Sequence, residues 1–124
     1  MSNDHEILLS GFGRILVTQF DGALNELKQR LYVSESPGHA KFKAYLETLD
    51  EADRPLAIAQ EALEVFVHDL MVAIEDSHAY RIDVTDKTGK VFDLKGLSAV
   101  GLHAEQLYWL DEFSKYGRIS EKLV

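Results

Sequence analysis

Cysteine is missing from all 124 residues. Disulfides, thiolate metal sites and cysteine nucleophiles are therefore excluded, and a reducing, cytoplasmic setting is expected. Proline occurs at only two positions, Pro37 and Pro55, each where a helix would begin. Bases are scarce in one region. Between residues 47 and 76 nine acids (Glu47, Asp50, Glu51, Asp53, Glu61, Glu64, Asp69, Glu75, Asp76) stand against Arg54 alone, while the rest of the chain holds twelve of each sign. The net charge of -8 is thus a regional field. Such a field argues against nucleic acid as a ligand and permits a cation or a basic protein partner. No unbroken apolar run approaches membrane-spanning length, and the N-terminal residues lack the basic region of a signal peptide, so no membrane contact is expected.

What is present describes a packed domain. Hydrophobic residues make up 46% of the chain and there are twelve aromatics, which is enough for one globular domain over residues 1–124 with a real core. The periodicity predicts a mostly helical α+β fold of four helices with one β-hairpin between the third and fourth. A long first helix spans about residues 4–32, with Leu9, Phe12, Leu16, Phe20, Ala23, Leu27 and Leu31 on its buried face and Ser2, Asn3 or Asp4 as its cap. Gly11, Gly13 and Gly22 weaken this helix, so a bend or a late start is expected. Residues 33–39 form a break. Ser36-Pro37 reads as an N-cap and first helical position, opening a short helix to about residue 49 with Phe42, Tyr45, Leu46 and Leu49 inward.

The organising stretch is residues 54–78. As a helix it places Leu56, Ala59, Leu63, Phe66, Val67, Leu70 and Ile74 on one broad face, and Ile58, Ala62, Val65, Val72 and Ala73 carry the apolar arc further round. A helix so apolar belongs in the middle of a domain. Glu61, Glu64, His68 and Glu75 fall in one narrow strip, expected to face water or a partner, while Asp69 lies beside apolar neighbours and needs a donor or an ion. Asp53 is the expected cap.

After residue 78 the period changes to two. Tyr80, Ile82 and Val84, then Phe92 and Leu94, alternate with polar residues around Asp86-Lys87-Thr88-Gly89, a type I turn with Gly89 left-handed. Residues 95–101 form a loop, residues 102–116 a last helix stopped by Gly117, and residues 118–124 a frayed or loosely docked tail. Leu102, Trp109, Phe113 and Tyr116 are the expected core stripe of the last helix, with His103 on its apolar side.

Several residues carry candidate chemistry. Glu64-x3-His68 has the i, i+4 spacing to share a divalent ion, with Glu61 and Glu75 on the same strip. Glu75-x2-His78 matches the spacing of di-metal carboxylate bundles, but the second such pair those bundles need is missing. If a metal binds, the candidate ligands are Glu64, His68, Asp69 and His103. Ser10-Gly11-Phe12-Gly13 lacks the strand-then-helix context of a phosphate loop.

The phrase from Ala62 to Leu70, with its His68-Asp69 pair, loosely resembles the central motif of HD-domain metal phosphohydrolases. That resemblance implies an all-helical fold and metal ligands at His39, His68-Asp69 and Asp111. The sequence departs from the pattern where residues after the pair keep an apolar helical period, and where a hairpin replaces further helices.

The leading expectation is a non-enzymatic interaction module, of an inhibitor or immunity type. It would present Glu47, Asp50, Glu51, Glu61, Glu64, His68 and Glu75 to a basic partner, with no cofactor. The alternative is a metal-dependent hydrolase or metal-binding domain built on His68. A third expectation is a homodimer that buries Ile7, Leu8, Ile15 and a hairpin edge.

Overall fold

The computed structural model describes residues 3–33 and 36–123. The fold is four helices with a small hairpin between the third and fourth. Helix α1 spans Asn3–Lys28 and runs on into a π-helical turn, Gln29–Val33. Its glycines neither interrupt it nor delay its start. Asn3 and Asp4 already lie in the helix, and Ser2, the other candidate cap, lies outside the described residues.

Helix α2 spans Pro37–Glu47, and its start follows the sequence rule. The Ser36 side chain accepts from the His39 amide and Pro37 fills the first turn. Helix α3 spans Arg54–Asp76. Asp53 occupies its N-cap position with helical backbone angles and makes no side-chain capping bond, so the cap expected there is not formed. Arg54 instead turns back to α2, its Nε donating to the carbonyls of Leu46 (2.9 Å) and Leu49 (3.2 Å). It therefore satisfies open carbonyls where α2 ends.

Strands β1 (Asp83–Thr85) and β2 (Val91–Asp93) pair antiparallel with Thr85 opposite Val91. The Asp86 carboxylate accepts from the Thr88 amide and hydroxyl and from the Lys90 amide, and Gly89 takes φ 88° as the turn demands. Helix α4 spans Leu102–Phe113 and stops short of the expected residue 116. Ser114 takes an extended conformation, and Gly117 turns with φ 67° only after that.

The core lies at one end. Phe42, Leu46, Ala57 and Ile119 form its buried cluster, ringed by Leu27, Leu31, Tyr45, Leu49, Ile58 and Leu123. The tail expected to fray is thus a core element, held as a 3-10 turn over Ile119–Lys122 with Ile119 buried. At the far end Tyr80 donates its hydroxyl to the Leu8 carbonyl (2.6 Å) and sets its ring 5.6 Å from Phe12. Gly11 makes this possible, because a Cβ there would collide with the Tyr80 hydroxyl.

The two long helices bury only part of the faces expected from the sequence. On α3 the broad apolar face is split: Leu56, Leu63 and Val67 are exposed, Leu63 by 63%, while Phe66 and Leu70 are half-buried and Ile74 is buried. On α1, Leu9, Phe12, Leu16 and Phe20 are exposed, Leu9 by 75%, while Ala23 is buried, Leu27 is half-buried against the core with Leu31 of the turn that follows, and Ile15, expected to project outward, is half-buried. On α4 Leu102 is buried as expected, but Trp109, Phe113 and Tyr116 are exposed, and Gln106 takes the second buried place. The physical reason is that the acidic strip of α3 has internal partners, and satisfying buried charges and backbone amides decides which side of α3 turns inward.

Candidate functional site

The helical spacing of Glu61, Glu64, His68 and Glu75 does bring them to one side of α3, but that side is a seam between elements. Glu61 is 4% exposed and meets the Arg30 guanidinium at 2.9 Å. Arg30 also reaches Glu26 (3.3 Å), which in turn holds His39 Nε2 at 3.1 Å. Burial pushes the Glu61 carboxyl above its usual range, with Arg30 pulling the other way. Glu64 accepts the Ile119 amide on both carboxylate oxygens (3.1 and 2.9 Å), pinning the tail. Its carboxyl is also raised by burial, opposed by that amide bond. The Gln106 side-chain amide donates to the Glu64 carbonyl (3.1 Å) and ties α4 to the middle of α3.

Further along, Glu75 caps α4. Its carboxylate takes the His103 amide at 2.6 Å and the His103 ring at 3.1 Å. A carboxylate at a helix N-terminus satisfies an open amide and opposes the helix dipole. His103 therefore sits half-buried beside a carboxylate, its ring 5.8 Å from that of His68. Asp69 finds its donor next door, on His68 Nδ1 at 3.1 Å. Three members of the strip expected to face water or a partner, Glu61, Glu64 and Glu75, are therefore occupied in holding α1, the tail and α4 against α3, while His68 stays half-exposed.

A polar cavity of about 450 Å³ opens between α1, α3, α4 and the tail, lined by Glu26, Arg30, Glu61, Glu64, His68 and Asp69 among others. Gln106 Oε1, on its wall, is buried with no hydrogen-bond partner among the described residues. Among those residues no three His, Asp or Glu side chains stand together as a metal set. His68 and Asp69 are adjacent, but His39 is bound to Glu26 and Asp111 to Arg118 (2.8 Å). The ligand set implied by the HD-domain resemblance does not assemble, and the hairpin departs from an all-helical fold. Glu75-x2-His78 is split as well, because Glu75 turns to α4 and His78 is exposed beyond the helix end.

Of the nine acids between residues 47 and 76, Asp76 at the end of α3 and four at the α2–α3 corner are exposed. Glu47, Asp50, Glu51 and Asp53 are exposed, and the nearby Arg54 guanidinium donates to backbone carbonyls. Beside this corner starts an apolar groove of about 280 Å³ between α3 and α4, lined by Leu56, Ala59, Leu63, Val67, Leu110 and Tyr116. Gln60 crosses to the Gly117 carbonyl (3.3 Å) at its edge.

Arg30, Glu26 and Gln106 were not singled out from the sequence. Glu26 and Arg30 stand at i, i+4, a visible helix pair, but nothing local reveals that Arg30 also reaches across to Glu61. No known family model, curated protein or solved structure matches this chain.

Proposed function

We propose that this chain is a non-enzymatic protein-interaction module that receives a basic partner at the α2–α3 corner. The observation that carries this reading is the adjacency of four exposed carboxylates, Glu47, Asp50, Glu51 and Asp53, to Leu56 at the mouth of the α3–α4 groove. Exposed charge steers encounter, and an apolar groove beside it takes the anchoring side chains. An inhibitor that covers a basic site on another protein is the role this arrangement suits. The partner-facing set is accordingly Glu47, Asp50 and Glu51 with Asp53, while Glu61, Glu64 and Glu75 act inside the fold.

The test uses a helical peptide carrying lysine on one face and leucine on the other, titrated into isotope-labelled protein at low and high salt. Amide shifts are expected around residues 47–63 at low salt, weakened by salt and lost in the Asp50→Lys, Glu51→Lys double variant. Shifts elsewhere, or shifts indifferent to salt and to that variant, reject the reading. The metal-dependent reading has no third ligand beside His68 and Asp69 among the described residues, so no observation favours it.

A further inference from the structure

The chain exposes 8708 Å². A monomeric protein of 14.0 kDa is expected to expose about 6,700 Å². The excess, on the order of 2,000 Å², is what one protomer contributes to an obligate homodimer interface.

Part of the uncovered area has a form. Leu9, Phe12, Leu16, Phe20 and Leu24 recur at three- and four-residue steps along α1, all exposed, with Val17 at their edge. No charged residue interrupts this stripe. It passes onto α3 through Phe20 and Phe66, whose rings meet edge to face at 6.3 Å. The side of α1 that does pack inward carries Ile15, Gln19, Ala23, Glu26 and Leu27, polar residues among the apolar ones. Gly13 lies within the exposed stripe, and a Cβ added there would meet no atom within 4 Å. A mid-helix glycine costs stability, and no contact among the described residues uses this one.

We propose that a second copy of this chain covers the face, with the two α1 helices packed antiparallel about a two-fold axis between Leu16 and Val17. The register is self-complementary. Leu9 meets Leu24 of the second copy, Leu16 meets its Val17, and Gly13 leaves the space into which its Phe20 fits. Glu6 then falls within one residue of Lys28 of the second copy, and Arg14 within two residues of its Asp21. Opposite charges therefore flank the apolar seam, and opposed helix dipoles favour the same orientation.

The helix over Asn3–Val33 is also long and apolar enough, by length and composition, to cross a membrane, although polar residues break its apolar runs. Lipid would explain the apolar stripe. It would not explain the glycine at position 13 in open space, or the Glu6, Arg14, Asp21 and Lys28 charges beside the stripe. This dimer face is separate from the acidic corner, so each proposal can fail without the other.

The absence of cysteine makes the test direct. Mass measurement by light scattering on the full chain is expected to give a dimer at both low and high salt, and Leu16→Glu is expected to give a monomer. Leu16→Cys is expected to cross-link to itself with a short bis-maleimide. Leu9→Cys and Leu24→Cys are each expected to fail alone and to cross-link when co-expressed. A monomeric wild-type chain overturns the proposal, as does a dimer that survives Leu16→Glu. Self-cross-linking of Leu9→Cys overturns the antiparallel register. Flotation of a monomeric chain with phosphatidylcholine vesicles assigns the face to lipid and also overturns it.

Discussion

Arg30 reaches from the π-helical turn after α1 to the Glu61 carboxylate on α3, 2.9 Å away, and it is the cation that contacts this buried acid. Replacing Arg30 with Ala leaves the carboxylate uncompensated and is expected to cost about 3 kcal/mol, the low end for a broken buried pair because Arg30 is itself partly exposed. Glu61→Gln removes the charge and keeps the shape, so its cost is expected to be smaller. Urea denaturation of the two variants measures the difference, and equal losses would remove the assigned role of burial.

The same site sets a pH dependence. The folded Glu61 and Glu64 carboxyls are raised above their ordinary range, so the folded state holds their protons more tightly than the unfolded chain does. Their contribution to stability therefore falls as pH rises from the ordinary glutamate pKa through the raised ones. Asp86 has the opposite sign. Hydrogen bonds from the Thr88 hydroxyl and from the Lys90 and Thr88 amides hold its carboxyl below its usual range, so its contribution is lost as pH falls through that lowered value. Denaturation midpoints across the carboxylate range should slope less steeply in Glu61→Gln at the upper end, and in Asp86→Asn at the lower end. An unchanged slope in Glu61→Gln removes the assignment.

The tail can be weighed against the helices. Phe42 is 0% exposed at the centre of the core, and Phe42→Ala is expected to cost about 3–5 kcal/mol. Ile119 touches the same cluster, and Ile119→Ala is expected to cost about 2–5 kcal/mol. A frayed tail would make the second substitution nearly silent in the same thermal melts.

Two glycines of α1 separate local from intermolecular packing. Gly11→Ala is expected to displace Tyr80 and break its bond to the Leu8 carbonyl, lowering stability at any protein concentration. Gly13→Ala adds a methyl to open space, and in a lone chain it is expected to stabilise the helix by up to about 1 kcal/mol. In the antiparallel dimer the methyl intrudes on Phe20 of the second copy, so dissociation on dilution shifts to higher concentration. Melting at high and low protein concentration distinguishes the two.

The element order was legible because periodicity and punctuation are local. Ser36-Pro37 opened α2 where expected, and the Asp86-to-Gly89 turn formed as its residues require. The orientation of the helices was not legible. The apolar arc of α3 predicts an inward side, but an arc says which face avoids water and not which partner covers it. Glu61, Glu64 and Glu75 turn inward because Arg30, the Ile119 amide and the His103 amide lie there, and all three come from distant parts of the chain. For the same reason the strip of four acidic and histidine side chains was read as a surface. The corner acids Glu47, Asp50 and Glu51 stayed exposed because they sit in and beside a polar joint with no element packed over them.

Ile119 completes the cluster begun by Phe42, and Glu64 grips its amide. During synthesis α1, α2 and α3 emerge from the ribosome long before Ile119 does, so the half-formed domain waits with its principal cluster open.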